Sequence, residues 1–219
     1  MNPFSLLSFT RTRTQVFCLI VLLGVAPSFF ATIGEARDRV SAGSSFLKTF
    51  ISEIHAVNSI SSGGLVARNP SQRWQTFFDG FGYTIHPDTQ NWSWGLELRG
   101  FAGLNYEHGP EVRHLGNRVG YRWCDSLLEW FVNSPSGFQQ GWTILERPEH
   151  SLSLSFTVRG ELKPEIGADR RSVRFLDGGG APAVTYSGLK AWDADGRALP
   201  ASFLWDGSRL RLQVDDTDA

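Results

Sequence analysis

The chain has 219 residues and only two cysteines, which limits how far disulfides can stabilise it. Cys18 lies in an N-terminal apolar run with the features of a secretory leader, so a mature chain would retain Cys124 alone. A single thiol cannot form an internal disulfide. We therefore expect packing to hold the fold, and 41% hydrophobic residues with eight tryptophans can supply the core of one domain.

Excess charge of either sign is also lacking. The chain carries 21 basic and 22 acidic residues, and its formal net charge is −1. A nucleic-acid-binding surface needs a concentrated basic face, and no basic cluster is present. The composition therefore predicts no nucleic-acid partner.

No apolar run is long enough for an ordinary membrane span, which takes about 20 residues. Val16–Ala26 is apolar for eleven residues, follows Arg11 and Arg13 in an acid-free stretch, and suits the hydrophobic region of a signal peptide. Ala36 offers a cleavage point and Ala31 an alternative. We predict that residues 1–36 are a secretory leader and that the protein is extracellular, surface-bound or periplasmic, with no stable membrane span after cleavage. An uncleaved anchor is the alternative.

Residues 37–72 are rich in Ser, Gly and Asn and contain one patterned stretch. Apolar residues recur at helical spacing along Phe46–Val57. This pattern indicates a short amphipathic helix in a lead-in segment, and a disordered spacer is the alternative.

The aromatic residues are densest around two alternating runs. One face of the first run carries Leu128, Trp130 and Val132, and the other carries Glu129, Phe131 and Asn133. Because Trp130 shares its face with Leu and Val, we expect that face to be buried in the core. Ser134-Pro135-Ser136-Gly137 has turn chemistry, and Phe138–Ile144 alternates again. The pattern predicts a strand, a turn and a strand.

The same period-two pattern recurs along residues 73–219. Trp92–Leu98 and Leu152–Val158 alternate strictly, which predicts that Trp92, Trp94, Leu96 and Leu98 are buried together. Asp-Gly pairs between apolar runs indicate hairpins, and Ser187-Gly188 indicates another turn. We predict an all-β, antiparallel β-sandwich or open barrel over residues 73–219. Either this domain ends with an acidic tail, or it is truncated at its C terminus.

Carboxylates on predicted strands raise the possibility of acid–base chemistry. Glu97, Glu129 and Glu146 could supply the carboxylate pair of a glycoside hydrolase, although each is more simply a polar residue on the wet side of a strand. The chain has no Gly-x-Ser-x-Gly elbow. Cys124 would need a nearby base such as His114 to act as a nucleophile, and a packing role is simpler.

Two short stretches resemble metal-binding sequences. His108 and His114 lie close to two carboxylates, but Gly109-Pro110 prevents a shared helix face, so a solvated loop is favoured over a zinc site. Asp193 and Asp195 resemble the start of a calcium loop, yet further ligands are missing and Arg197 follows. The Asp193–Gly196 stretch therefore predicts a hairpin turn. Neither stretch predicts a bound metal, and we expect no cofactor.

The eight tryptophans suggest a second binding hypothesis. Flat indole rings can stack on pyranose sugars, so exposed tryptophans in an exported β domain could form a carbohydrate platform. Trp92, Trp94 and Trp130 share faces with aliphatic residues, and burial in the core is the simpler interpretation for the whole group. The five whose position is less decided are Trp74, Trp123, Trp142, Trp192 and Trp205, and of these Trp123, Trp142 and Trp205 are the binding candidates.

Several spaced phrases resemble one family. They are Phe78-Asp79-Gly80-Phe81-Gly82, Trp92–Leu98, Glu129-Trp130-Phe131-Val132-Asn133, Gly137–Thr143, Val173–Asp177 and Tyr186–Leu189. Over about residues 73–214 the chain resembles the N-terminal β domain of secreted bacterial proteins that continue into FG-GAP, integrin-α-like β-propeller repeats.

The resemblance implies an exported, non-catalytic module with no catalytic residues to carry over. Calcium would belong to the repeats of a longer parent protein. The chain departs from the family pattern at Phe131, where Tyr is usual, and at Cys124, where Asp is usual. We therefore expect a structural or interaction domain with an unknown protein or glycan partner. The alternatives are a carbohydrate-binding module and a glycoside hydrolase-like enzyme.

Overall fold

A computed structural model describes residues 17–24, 53–61 and 63–217 of the chain. Its strands form two antiparallel sheets that are not closed into a barrel, consistent with a β-sandwich. The prediction of an all-β antiparallel fold is confirmed. In the part that the structure describes, no helix is both long and apolar enough to cross a membrane.

The first sheet has eight strands in the order β13-β14-β15-β1-β11-β10-β9-β8. These are β1 (Phe17–Gly24), β8 (Glu111–Leu115), β9 (Arg118–Cys124), β10 (Leu127–Ser134), β11 (Gly137–Ile144), β13 (Lys163–Ile166), β14 (Val173–Leu176) and β15 (Pro182–Trp192).

The second sheet has nine strands, eight of them in the order β16-β17-β12-β6-β5-β4-β3-β2, with β7 paired to β6. These are β2 (Val57–Ser59), β3 (Leu65–Asn69), β4 (Trp74–Phe78), β5 (Tyr83–Pro87), β6 (Trp94–Phe101), β7 (Leu104–Asn105), β12 (Ser153–Gly160), β16 (Ala201–Trp205) and β17 (Leu210–Val214).

The core between the sheets is built largely from aromatic rings. The largest fully buried side chains are Trp74, Trp94, Trp142, Tyr83, Tyr121, Tyr186, Phe131, Phe138, Phe156, Phe175 and Phe203. A buried aromatic side chain removes about 150–250 Å² from water, which stabilises the fold by several kcal/mol for each ring at about 25 cal/mol per Å². Packing can therefore stabilise this domain without a disulfide.

The predicted central hairpin is present as β10 and β11. Ser134 pairs with Gly137 across a two-residue turn, and Gly137 has φ 130°. On β11, Phe138, Gln140, Trp142 and Ile144 are all buried, as the alternation indicates.

On β10, the face expected to be exposed is buried in the core, and on the other face only Val132 is buried as expected. Glu129, Phe131 and Asn133 point into the core with 1% of each side chain exposed, whereas Leu128 is 37% exposed and Trp130 is half-buried. Trp130 is therefore not a core residue, contrary to expectation. Buried partners satisfy Glu129 and Asn133, so these polar residues take positions that hydrophobicity alone assigns to Leu and Trp.

Elsewhere the alternation is largely confirmed. Trp94, Leu96 and Leu98 are buried along β6, while Trp92 precedes the strand and is only partly buried. Leu154 and Phe156 are buried on β12. The Asp79-Gly80 and Asp206-Gly207 pairs connect the antiparallel partners β4–β5 and β16–β17.

Two further expectations need correction. Ser187-Gly188 is not a turn but part of the continuous strand β15, and a register irregularity lies there with Gly188 at φ 79°. This local irregularity has the character of a β-bulge. Glu146 lies beyond β11 and is exposed, so it is not a strand residue.

The sheet also begins earlier than the pattern indicates. Strands β2 and β3 lie inside the segment 37–72 expected to be a lead-in, and β3 pairs with β4. Most of the helix expected over Phe46–Val57 lies outside the described residues, and Val57 itself begins β2.

The apolar run of the expected leader is partly described. Phe17–Gly24 forms β1 between β11 and β15, and the rest of residues 1–36 lies outside the described part of the chain. Cleavage of a leader stays a prediction.

A buried asparagine pair joins the two sheets at the β10–β11 turn. Asn69 Nδ2 on β3 donates to Asn133 Oδ1 on β10 at 2.8 Å and to the Ser134 carbonyl at 2.9 Å. Asn133 Nδ2 in turn donates to the carbonyls of His55 and Arg68 at 3.0 and 2.7 Å. The pair satisfies backbone groups from three separate segments.

We expect Asn133→Ala to lower the free energy of unfolding by at least about 2 kcal/mol, because it leaves several buried hydrogen-bonding groups without partners. Urea denaturation measures the change. Asn58→Ala is the control, since its side chain is exposed and makes one 3.4 Å bond to the Ala56 carbonyl. Equal effects of the two substitutions would contradict the role assigned to Asn133.

Candidate functional site

A buried carboxylate lies at the centre of the hairpin's inner face. Glu129 is 1% exposed on β10, directly opposite Trp142 on β11 and Tyr121 on β9. Trp123 Nε1 donates to Glu129 Oε2 at 2.8 Å, and Gln140 Nε2 donates to Oε1 at 2.6 Å. Both oxygens therefore have neutral donors and, among the bonds described, no cationic partner.

Gln140 connects this carboxylate to two buried tyrosines. Its Oε1 accepts hydrogen bonds from Tyr186 at 2.9 Å and from Tyr83, across the sandwich, at 3.2 Å. We call Glu129, Gln140, Tyr83, Tyr186 and Trp123 the Glu129 centre. It joins β5 of one sheet to β9, β10, β11 and β15 of the other.

Burial changes the ionisation of Glu129. Loss of hydration raises its pKa from 4.5 to about 7, and the hydrogen bonds from Trp123 and Gln140, together with Trp142, work against that rise. Burial also raises the pKa values of Tyr83 and Tyr186. A carboxyl group with a pKa near 7 can exchange a proton at neutral pH, which is the property of a general acid.

A second carboxylate is held by arginines. Arg159 Nη2 lies 2.7 Å from Glu97 Oε2, and Arg99 Nη2 lies 3.0 Å from Glu97 Oε1. Arg159 Nη1 also donates to Asp79 Oδ2 at 2.7 Å. We call Asp79, Glu97 and Arg159 the Arg159 cluster.

The Arg159 cluster fixes the Asp79-Gly80 turn. Asp79 Oδ1 accepts the backbone N–H groups of Phe81 and Gly82 at 2.9 and 3.0 Å. Burial works against ionisation of Asp79, but these bonds and the Arg159 guanidinium hold its pKa below the usual value. Tyr121 donates to the Gly82 carbonyl at 2.9 Å, so the turn is also tied to the opposite sheet.

Each predicted catalytic carboxylate therefore has a different environment. Glu129 is enclosed by neutral donors, Glu97 is salt-bridged to two arginines, and Glu146 is exposed beyond the end of β11. The bonds of Glu97 and Glu129 account for all four of their carboxylate oxygens. Both side chains therefore act as structural connections in this conformation.

The three tryptophan candidates are not equivalent. Trp142 is fully buried and presents no ring to solvent. Trp123 is partly buried, packs against Tyr106 in a tilted arrangement with ring centroids 5.0 Å apart, and donates its N–H to Glu129. Trp205 is partly buried against the core.

A cavity beside another tryptophan was not anticipated from the sequence. It has a volume of about 490 Å³ and is lined by Arg171, Lys190, Ala191, Trp192, Gly196, Ala198, Leu199 and Pro200. Lys190 and Trp192 lie near the end of β15, and Arg171 comes from the loop before β14. No sequence motif joins residues 171 and 190, so only the fold brings these two cations into the lining of one cavity with Trp192.

The Asp193–Gly196 stretch is a turn in the structure. Asp193 Oδ1 accepts from the backbone N–H groups of Asp195 and Arg197 at 2.9 Å each, and Oδ2 accepts from Arg197 Nε at 2.8 Å. Burial opposes ionisation, yet these bonds hold the pKa of Asp193 below its usual value. Across the described ranges, no group of three or more His, Cys, Asp or Glu residues is arranged to hold a metal ion.

Cys124 and His114 have separate surroundings. The exposed Cys124 thiol lies 3.3 Å from Ser126 Oγ and 3.6 Å from the Tyr106 hydroxyl, while His114 Nε2 lies 3.3 Å from Ser59 Oγ. Burial raises the pKa of the thiol, but the hydrogen bonds from Ser126 and Tyr106 outweigh it and lower the pKa overall. The described contacts do not join the two residues as a nucleophile and base.

Comparisons with known proteins identify no relative. The chain matches no protein-family model, no curated protein and no solved structure.

The raised pKa of Glu129 predicts a specific pH dependence of stability. Its protonated form is favoured on folding, so its contribution is fully present below pH 4.5 and is lost as the pH rises through about 7. Over this range we expect wild type to lose about 3 kcal/mol of unfolding free energy relative to Glu129→Gln, which cannot titrate. Urea denaturation from pH 4.5 to 8 measures the difference.

Glu146→Gln is the matched control, because Glu146 is exposed. Its stability profile should run parallel to that of wild type. If the Glu129→Gln profile also runs parallel to wild type, Glu129 does not titrate in the core as described.

Proposed function

We propose that the protein is an exported, non-catalytic β-sandwich module with a structural or partner-binding role. The main support is the use of the candidate acids as connections between strands. Glu129 is enclosed by Trp123 and Gln140, and Glu97 is paired with Arg159 and Arg99. Each of these four oxygens already has a hydrogen-bond or ion-pair partner within the fold, so both side chains help to hold neighbouring strands together.

The resemblance to the leading β domain of FG-GAP repeat proteins supports a place at the start of a modular surface or secreted protein. The phrases that carry it include turn residues with structural roles. In Phe78-Asp79-Gly80-Phe81-Gly82, Asp79 binds two backbone N–H groups of the turn and pairs with Arg159. A module of this kind would bind a partner, or have a structural role, at the N-terminal end of a longer protein.

Export can be tested on the product of the full gene. Expressed in a bacterium with a secretion system, the protein should be found outside the cytoplasm with an N terminus at Arg37 or at Thr32, as mass spectrometry of the intact chain can establish. FG-GAP repeats encoded beyond codon 219 would support the proposed parent. A cytoplasmic product that keeps Met1 would contradict export.

The cavity beside Trp192 favours a second candidate function, carbohydrate binding. The half-buried indole of Trp192 and the cations Lys190 and Arg171 line one space of about 490 Å³. An indole face suits a pyranose ring, and the two cations suit an acidic substituent. A saccharide containing uronic acid is the ligand class that this lining would recognise.

A glycan array that includes uronic-acid polymers tests the second candidate. Trp192→Ala should weaken binding of any ligand found by at least about tenfold, equivalent to ~1.4 kcal/mol, because it removes the stacking surface. Trp205→Ala is the control, since it removes a partly buried indole that does not line the cavity. No binding across the array, or equal loss in both variants, would remove this candidate.

A further inference from the structure

Strand β1 occupies an interior position of the eight-stranded sheet. Phe17–Leu23 is paired residue by residue with Ile144–Phe138 of β11, and the other edge of β1 is paired with residues 185–192 of β15. Both ladders are antiparallel. The position of β1 therefore satisfies backbone groups of two neighbouring strands at once.

The two neighbours of β1 have no direct ladder with each other. The other partner of β11 is β10, and the other partner of β15 is β14. Without a strand between them, β11 and β15 would be separated by about 9–10 Å, twice the usual strand spacing. The gap would expose unpaired N–H and C=O groups in the middle of the sheet.

The gap would also open into the core. Phe138, Gln140 and Trp142 on β11 and Tyr186 on β15 line this part of the sheet, and each is at most 1% exposed. Two of them, Gln140 and Tyr186, belong to the Glu129 centre. Loss of β1 would therefore expose the Glu129 centre to water and would also break the ladders with β11 and β15.

The expected leader contains the whole of β1. Both proposed cleavage points, Ala31 and Ala36, lie after Gly24, so cleavage at either would remove the strand. We propose that the position of β1 is a strand-accepting groove, filled in the exported protein by an extended segment of another polypeptide. The inference rests on the proposed export and cleavage.

The groove specifies the chemistry of its occupant. It takes about eight residues in extended conformation, antiparallel to both β11 and β15. Positions opposite Trp142, Gln140 and Phe138 face buried neighbours and require apolar side chains. Positions opposite Thr143, Gly141 and Gln139 lie on the outer face, where polar side chains are tolerated. Addition of such a strand is an established mode of peptide recognition.

The remaining parts of the chain offer a poorer occupant. Each of the other described strands already has its own place in one of the two sheets. In β1, Val21 lies opposite the buried Gln140. If residues 44–51 took the place of β1, Lys48 or, in a register shifted by one residue, Thr49 would lie opposite Gln140 instead. A segment with aliphatic residues at alternate positions, supplied by another protein, satisfies the groove better.

The test uses protein exported from the full gene, with its N terminus read by mass spectrometry. The probe is a labelled synthetic peptide of residues 17–24 with Cys18→Ser, Ile20→Thr and Leu22→Lys, which makes the outer face polar. The control peptide carries Val21→Pro in addition, which removes a central N–H donor. Fluorescence anisotropy measures binding, and amide hydrogen exchange locates it.

We expect the probe to bind the mature protein and to slow exchange in Gly137–Ile144 and Pro182–Trp192 by about tenfold or more. The control peptide should bind at least about tenfold more weakly. If the exported protein has lost residues 17–24 but does not bind the probe, the proposed groove is wrong and the proposed export still stands. An exported chain that retains residues 17–24 would overturn both the groove and the predicted cleavage.

Discussion

Aromatic contact between the two sheets is the interaction on which the rest of the structure depends. Phe78 of one sheet lies 5.3 Å from Phe131 of the other, and Tyr83 lies 5.1 Å from Phe138, measured between ring centroids. These rings pack in tilted and edge-to-face arrangements, which aromatic pairs favour. The same contact holds the inner face of the β10–β11 hairpin against β4 and β5, and so encloses the polar residues between the rings.

The enclosed polar residues help to determine which strand pairing the core adopts. Glu129, Gln140 and Asn133 lie among rings and would each destabilise the fold if left without partners. Hydrogen bonds from Trp123 and the tyrosines satisfy the first two, and Asn69 with two backbone carbonyls satisfies the third. A slipped register would break these bonds, so the polar residues help to select one pairing of the strands.

The N-terminal apolar run meets two different requirements. A signal peptide needs a short, uninterrupted apolar segment, and an interior strand of a sandwich needs a similar composition and length. Phe17–Gly24 satisfies both, and its backbone pairs on both sides within the sheet. If the leader is cleaved on export as proposed, the eight residues that hold this position in the sheet would be lost from the mature protein.

Local patterns were sufficient to predict the all-β class, the β10–β11 turn, the Asp-Gly turns and the buried face of β6, because alternation and turn chemistry act over a few residues. They were not sufficient for β10, where the buried face depends on two sets of hydrogen bonds. Glu129 is bonded to Trp123 and Gln140 on the neighbouring strands, and Asn133 is bonded to His55, Arg68 and Asn69, which lie far along the chain. The bulge at Gly188 was missed because its sequence also suits a turn. The Trp192 cavity, the Arg159 cluster and the interior place of β1 were decided by tertiary structure alone, because each joins segments that only the pairing and stacking of the two sheets bring together.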